Sequence, residues 1–296
     1  MVYNLEEENK NKYYMIKKVL IIILTANFTV AIAKIVIGYF TKSLSLSADG
    51  FHSFSDGASN IIGLISIIFA SKPIDKEHPY GHKKIETMAS LIIGVMLVFL
   101  TYNIVVQSIQ KFFNQTEITV SLESILILLT TLFINIFVAY YEHKQGEKYN
   151  SSFLIADSIH TKSDIFVSIG VLSTLVCIRL GLPSSIDIFV SLIVAGFILH
   201  AAYEIFKDAY NVLIDGKILD EEKVKDVVMK SFSNVKDVHH IRSRGGKDYI
   251  FVDMHIKVNP ELKVYEVHSL VHDIDEAIKT KDNRVVETII HVEPFK

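Results

Sequence analysis

Two nine-residue segments hold the residues best suited to chemistry. ADGFHSFSD at 48–56 and ADSIHTKSD at 156–164 share the pattern A-D-x-x-H-x-x-S-D at an offset of 108 residues. A histidine and an aspartate four apart project from one face of a helix. Each copy therefore offers an imidazole nitrogen and a carboxylate, from His52 and Asp56 in the first and from His160 and Asp164 in the second. Two such helices packed together present two nitrogens and two carboxylates, enough to complete a tetrahedron around zinc. At about 100° per residue, Asp49 falls with His52 and Asp56 inside an arc of roughly 60°, and Asn60 extends the stripe by a turn. Asp157 and Ser168 hold the equivalent places in the second copy. Asp49 and Asp157 have two readings: they line a pathway or relay protons, or they hydrogen-bond as supports for the ligands and helix starts.

Both segments lie inside long apolar runs. Half of the 296 residues are hydrophobic, and mean hydropathy is positive. A hydrocarbon core of roughly 30 Å needs about 20 helical residues, and six segments supply that length, at about 16–40, 44–70, 87–111, 121–141, 153–179 and 185–207. An acidic residue at the centre of such a helix costs about 2.5 kcal/mol or more. Hydrogen bonding of each histidine to its own aspartate, or a polar glue between helices, would satisfy these groups. A costly stripe repeated at equal spacing and similar depth points instead to function. Asp56 and Asp164 fall 11 to 12 residues into their spans, near the midplane, where transporter sites commonly sit.

The ligand types narrow the cargo. The single cysteine, Cys177, excludes a thiolate site and a disulfide framework. Imidazole suits zinc, cobalt, iron and nickel, and all-oxygen ligation suits magnesium, calcium and manganese, so zinc leads. Metal binding requires neutral imidazole, so protons compete for the site and proton antiport is the expected coupling. A net charge of -3 leaves no basic footprint for nucleic acid. A membrane metalloenzyme would need an open coordination position and a general base, and no His-Glu-x-x-His occurs. A membrane metal sensor is the other alternative.

The remaining elements frame the spans. Residues 1–15 form a polar arm and 16–212 the membrane domain. Lysines cluster in the arm and in the second loop, so the positive-inside rule places both termini in the cytoplasm. From 213 to 296 the pattern becomes α-β-β-α-β, a soluble α+β domain. On its DYIFVDMHIKV strand, His255 lies opposite the apolar set with Asp253 and Lys257. His268 and His272 stand one turn apart on a helix, and strand alternation sends His240 to the face opposite His239.

In combination these features resemble the cation diffusion facilitator family, the zinc-type exporters in particular, over nearly the whole chain. The resemblance implies a multi-pass homodimer, in the cell membrane if the source is prokaryotic, with alternating access and export of Zn²⁺ against H⁺. It also implies a ferredoxin-like cytoplasmic domain, with divalent metal as cargo and regulator, no other cofactor and no enzymatic activity. The transport ligands become His52, Asp56, His160 and Asp164. Members with Asp at the first histidine handle cadmium, iron or manganese more readily, so export of Mn²⁺, Fe²⁺, Co²⁺ or Cd²⁺ is the alternative. The resemblance further implies a loop metal site at Asp75, His78 and His82. It places cytoplasmic ligands at His239, His255, His268, His291 and Glu293, and a charged pair, Lys84 with Asp215, linking the two parts.

Overall fold

The computed structural model describes residues 2–41, 57, 59–113, 122–180 and 186–295. The chain divides into two compact units, Met1–Ala209 and Tyr210–Lys296.

The first unit is helical: α1 (Val2–Thr41), α2 (described over Ser59–Ala70), α3 (Lys84–Phe113), α4 (Leu122–Lys148), α5 (Ser152–Arg179) and α6 (Ile186–Leu213). Helix α1 runs back through the polar arm, whose Glu, Lys and Leu residues are good helix formers. Its buried residues Tyr13, Ile16, Leu20 and Ile23 recur at three- and four-residue spacing and meet Ile67, Ile93, Leu97, Phe153 and Ile198. Large apolar side chains also cover the outside, among them Phe99, Phe133, Phe137 and Phe189, each more than 60% exposed. A bundle apolar inside and out is built for a bilayer. Among the described residues, three helices are long and apolar enough to cross one: Asn11–Ala33 within α1, α3 and α6.

Two devices hold α5 in place. The turn before it is tight, with Asn150 in the left-handed region (φ 46°) and Ser151 N donating 2.9 Å to the Gly146 carbonyl. Ser151 then caps α5 through its Oγ, which accepts from Leu154 N at 3.2 Å. The buried Glu86 carboxylate of α3 accepts from both Ser151 Oγ and Phe153 N, placing negative charge at the positive end of the helix. The second device is close approach. A Cβ on Gly63 of α2 would stand 2.1 Å from the Phe153 ring, and one on Gly146 of α4 would stand 3.0 Å from the Ile155 nitrogen. Hydrogen is the largest substituent that either crossing accommodates without movement.

The second unit contains α7 (Glu221–Ser231), β1 (Val235–Gly245), β2 (Ile250–Val258), α8 (Val264–Lys281) and β3 (Val285–Pro294), the α-β-β-α-β order expected. The sheet order is β1-β2-β3, with β1 antiparallel and β3 parallel to β2. Strand β2 alternates without a break, burying Val252, Met254 and Ile256. These pack with Val224 and Val228 of α7 and Leu270, Ile274 and Ile278 of α8. Both helices thus cover one face of the sheet, and Asp253, His255 and Lys257 occupy the other.

Candidate metal sites

Of the intramembrane residues singled out by sequence, Asp49, His52 and Asp56 lie outside the described residues. The second copy is described. Helix α5 turns Asp157, His160 and Asp164 into a cavity of about 40 Å³, whose lining includes Asn60 of α2 together with Asn27 and Asn135 from α1 and α4. That volume holds a small ion or a few waters. Asn60 and Asp157 meet directly, Nδ2 donating 2.6 Å to Oδ2, and Asn27 Nδ2 donates 3.0 Å to Asn60 Oδ1. The polar stripes of the two repeats are therefore bonded to each other through non-equivalent positions, which ties α2 to α5 one turn from each His-Asp pair.

His160 is 7% exposed, and among the described residues neither of its ring nitrogens has a hydrogen-bond partner. A buried imidazole normally satisfies at least one nitrogen, and this ring lines the cavity.

The structure adds Glu142, which sequence reading missed. It is 1% exposed, accepts from Thr161 Oγ1 at 3.0 Å and lies against Asp157. Thr131, Asn135, Val138 and Glu142 recur at helical spacing on α4, and the first three line the cavity. The signal available was this stripe, hidden because the apolar run of α4 stops at residue 141.

The loop residues Asp75, His78 and His82 come together with their ligand atoms all within 4.8 Å of one another. Asp75 Oδ1 accepts from the backbone nitrogens of Glu77 and His78 at 3.0 and 2.6 Å. Chiefly through the His78 backbone bond, its carboxyl is held below the usual range. Gly81, at φ 83°, closes the turn by donating 2.9 Å to the His78 carbonyl. The turn brings His82 Nε2 to 3.4 Å from Asp75 Oδ2, with His82 buried and its Nδ1 unpartnered.

In the second unit, His239, His255 and Glu293 form another such group. Cross-strand register aligns His239, His255 and His291 in one row. Glu293 lies 3.0 Å from His255 Nδ1 and 3.4 Å from His239 Nε2. The bond from His255 leads in holding the Glu293 carboxyl below its ordinary range. The His291 ring centre is 4.6 Å from that of His255. His268 is not brought to this group within the chain: it is exposed on α8, across the sheet, with its ring 4.5 Å from His272. Asp215 lies 3.9 Å from Arg244 within the same unit.

His240 departs from the sequence expectation. Between His239, opposite His255, and Arg242, opposite Asp253, β1 spends three steps against two on β2. The extra residue is a β-bulge, and His240 takes φ 50° within it. Simple alternation fails there. The His240 ring comes to the histidine face, 5.2 Å from His239 and 5.1 Å from His255 between centres.

Comparison with known proteins agrees with this architecture. Residues 20–214 match the cation efflux transmembrane domain, and residues 219–295 match the cation efflux protein cytoplasmic domain. An uncharacterised transporter of Methanocaldococcus jannaschii is 30% identical over 281 residues, covering 94% of this chain and 98% of that one. The manganese efflux system protein MneP of Bacillus subtilis is 29% identical over 287 residues, covering 94% and 96%. The zinc transporter ZitB of Yersinia pestis is 26% identical over 227 residues, covering 76% and 72%. With two matching domains in order, the chain belongs to the cation efflux, or cation diffusion facilitator, family and is a multi-pass membrane transporter of metal cations, not an enzyme.

Proposed function

We propose that this protein is a Zn²⁺/H⁺ antiporter that exports zinc through a four-ligand site of His52, Asp56, His160 and Asp164. One observation carries the reading: among the described residues His160 is buried with two unpartnered ring nitrogens, beside a cavity that Asp164 also lines. Asp157 and Asn60, bonded to each other, support the ligands from behind. Release follows from the ligand chemistry, because protonation of a histidine removes the lone pair that holds the metal. The sites at Asp75, His78 and His82 and at His239, His255 and Glu293 bind the same metal from the cytoplasm. They act as regulators, the second within a homodimer formed through the C-terminal domain.

Manganese is the second reading. It is favoured by the likeness to MneP and by the oxygen donors of Asn60, Asp157 and Asp164 around the cavity. Flux of Zn²⁺ and Mn²⁺ into liposomes containing the purified protein tests both readings. Zinc flux that accelerates with an imposed opposing pH gradient is expected. Rates indifferent to that gradient would overturn antiport, and Mn²⁺ flux exceeding Zn²⁺ flux would replace zinc as cargo.

A further inference from the structure

The histidine face of the C-terminal sheet carries more donors than the group His239, His255 and Glu293. A non-glycine residue in the left-handed region is uncommon, and bulges recur where a strand must re-aim a side chain. Here the bulge delivers an imidazole. The ring centres of His239, His240 and His255 form a nearly equilateral triangle, with sides of 5.2, 5.1 and 5.5 Å. Imidazoles held at tetrahedral angles by one zinc, with Zn–N of about 2.0–2.1 Å, have their ring centres about 5 Å apart. The triangle therefore has the dimensions of three rings around a single ion, and Glu293, bonded to two of the three histidines, supplies an oxygen.

We infer that His240 is a metal ligand of this chain and that the sheet face forms a His₃Glu site from His239, His240, His255 and Glu293 within one protomer. The inference deepens the proposed regulatory site and rests on that reading. It assigns the bulge a purpose, which is to put two consecutive residues of one strand on the same face. Because His240 is exposed, turning its ring toward the ion displaces only water. Four protein donors close the coordination sphere, as in structural rather than catalytic zinc sites. Metal then fastens β1, β2 and β3 together at one point, since the four ligands come from all three strands.

The test uses the full-length protein in detergent. Zn²⁺ affinity is read by competition with a chromophoric chelator, and coordination by the visible absorption of bound Co²⁺. Wild type is compared with His239→Ala, His240→Ala and His240→Asn. Asparagine tolerates left-handed backbone, so the last variant keeps the bulge while removing the imidazole. The intramembrane and loop sites are common to all four proteins and cancel in the differences. A loss of about tenfold or more in the affinity of one site, with loss of its four-coordinate Co²⁺ absorption, is expected in both His240 variants as in His239→Ala. Wild-type affinity and spectrum in both His240 variants, with loss in His239→Ala, would overturn the role of His240 and leave the regulatory site standing. No change in any of the three variants would overturn the regulatory site as well.

Discussion

His160 and His255 are the same side chain in opposite settings. His160 sits in a membrane helix, 7% exposed, with no hydrogen bond to either nitrogen among the described residues. His255 sits on a sheet face, 31% exposed, with its Nδ1 3.0 Å from the Glu293 carboxylate. Burial without a partner is costly, and on the proposed function an ion or proton offsets that cost at His160. That suits a site that must fill and empty. His255 is held beside Glu293 before any metal arrives, a preorganised arrangement that suits retention. On the proposed function a shared residue type serves passage in one unit and sensing in the other, and burial sets the difference.

The largest expected effect separates the two regions outright. Asp164→Ala removes a carboxylate from the intramembrane cavity, and zinc flux in liposomes should fall more than about 100-fold, beyond the 10- to 100-fold typical of supporting residues. Zinc binding by the C-terminal unit should be unchanged. Retained flux would remove the basis of the intramembrane assignment.

A smaller effect tests how the cavity is held. Gly63→Ala drives a Cβ into the Phe153 ring at 2.1 Å, and overpacking of this kind costs about 1–3 kcal/mol. The melting temperature in detergent should fall, and Phe153→Leu should restore part of the loss. An undisturbed melting temperature would mean that α2 and α5 do not depend on this contact.

The smallest effect concerns pH. Asp75 and Glu293 both have carboxyls below the usual range. The contribution of such a depressed group is present above its unfolded pKa and is lost only as pH falls through the lower folded value. Between about pH 8 and 5 both stay ionised, so zinc release from the C-terminal site over that window follows the imidazoles alone. Glu293→Gln should weaken zinc binding by a similar factor across the window, leaving the slope of log apparent affinity against pH unchanged, as read by chelator competition. A changed slope would show that the carboxylate titrates with the histidines.

Much of the intramembrane site was legible from the sequence because an α-helix fixes where residues three and four apart must point. The Asp157, His160 and Asp164 stripe needed only that rule, and the cavity confirms their shared face. Glu142 was not legible. Its relevance depends on Asp157 and Thr161 of the following helix, and no local pattern encodes that packing. His255 followed from the regular alternation of β2. His240 did not, since a bulge is set by cross-strand register and not by the strand's own residues.

Sequence alone determined the chemistry on offer: the repeated His-Asp pairs, the apolar runs that bury them, and a C-terminal α-β-β-α-β segment with a histidine-bearing strand. These follow from composition and local periodicity, which act over a few residues. Tertiary structure decided which donors meet. It bonded Asn60 to Asp157 across two helices, brought Glu142 to them from a third, left His268 across the sheet, and turned His240 toward His255. Each outcome is fixed by the packing of one element against another, at sequence separations where local rules carry no information.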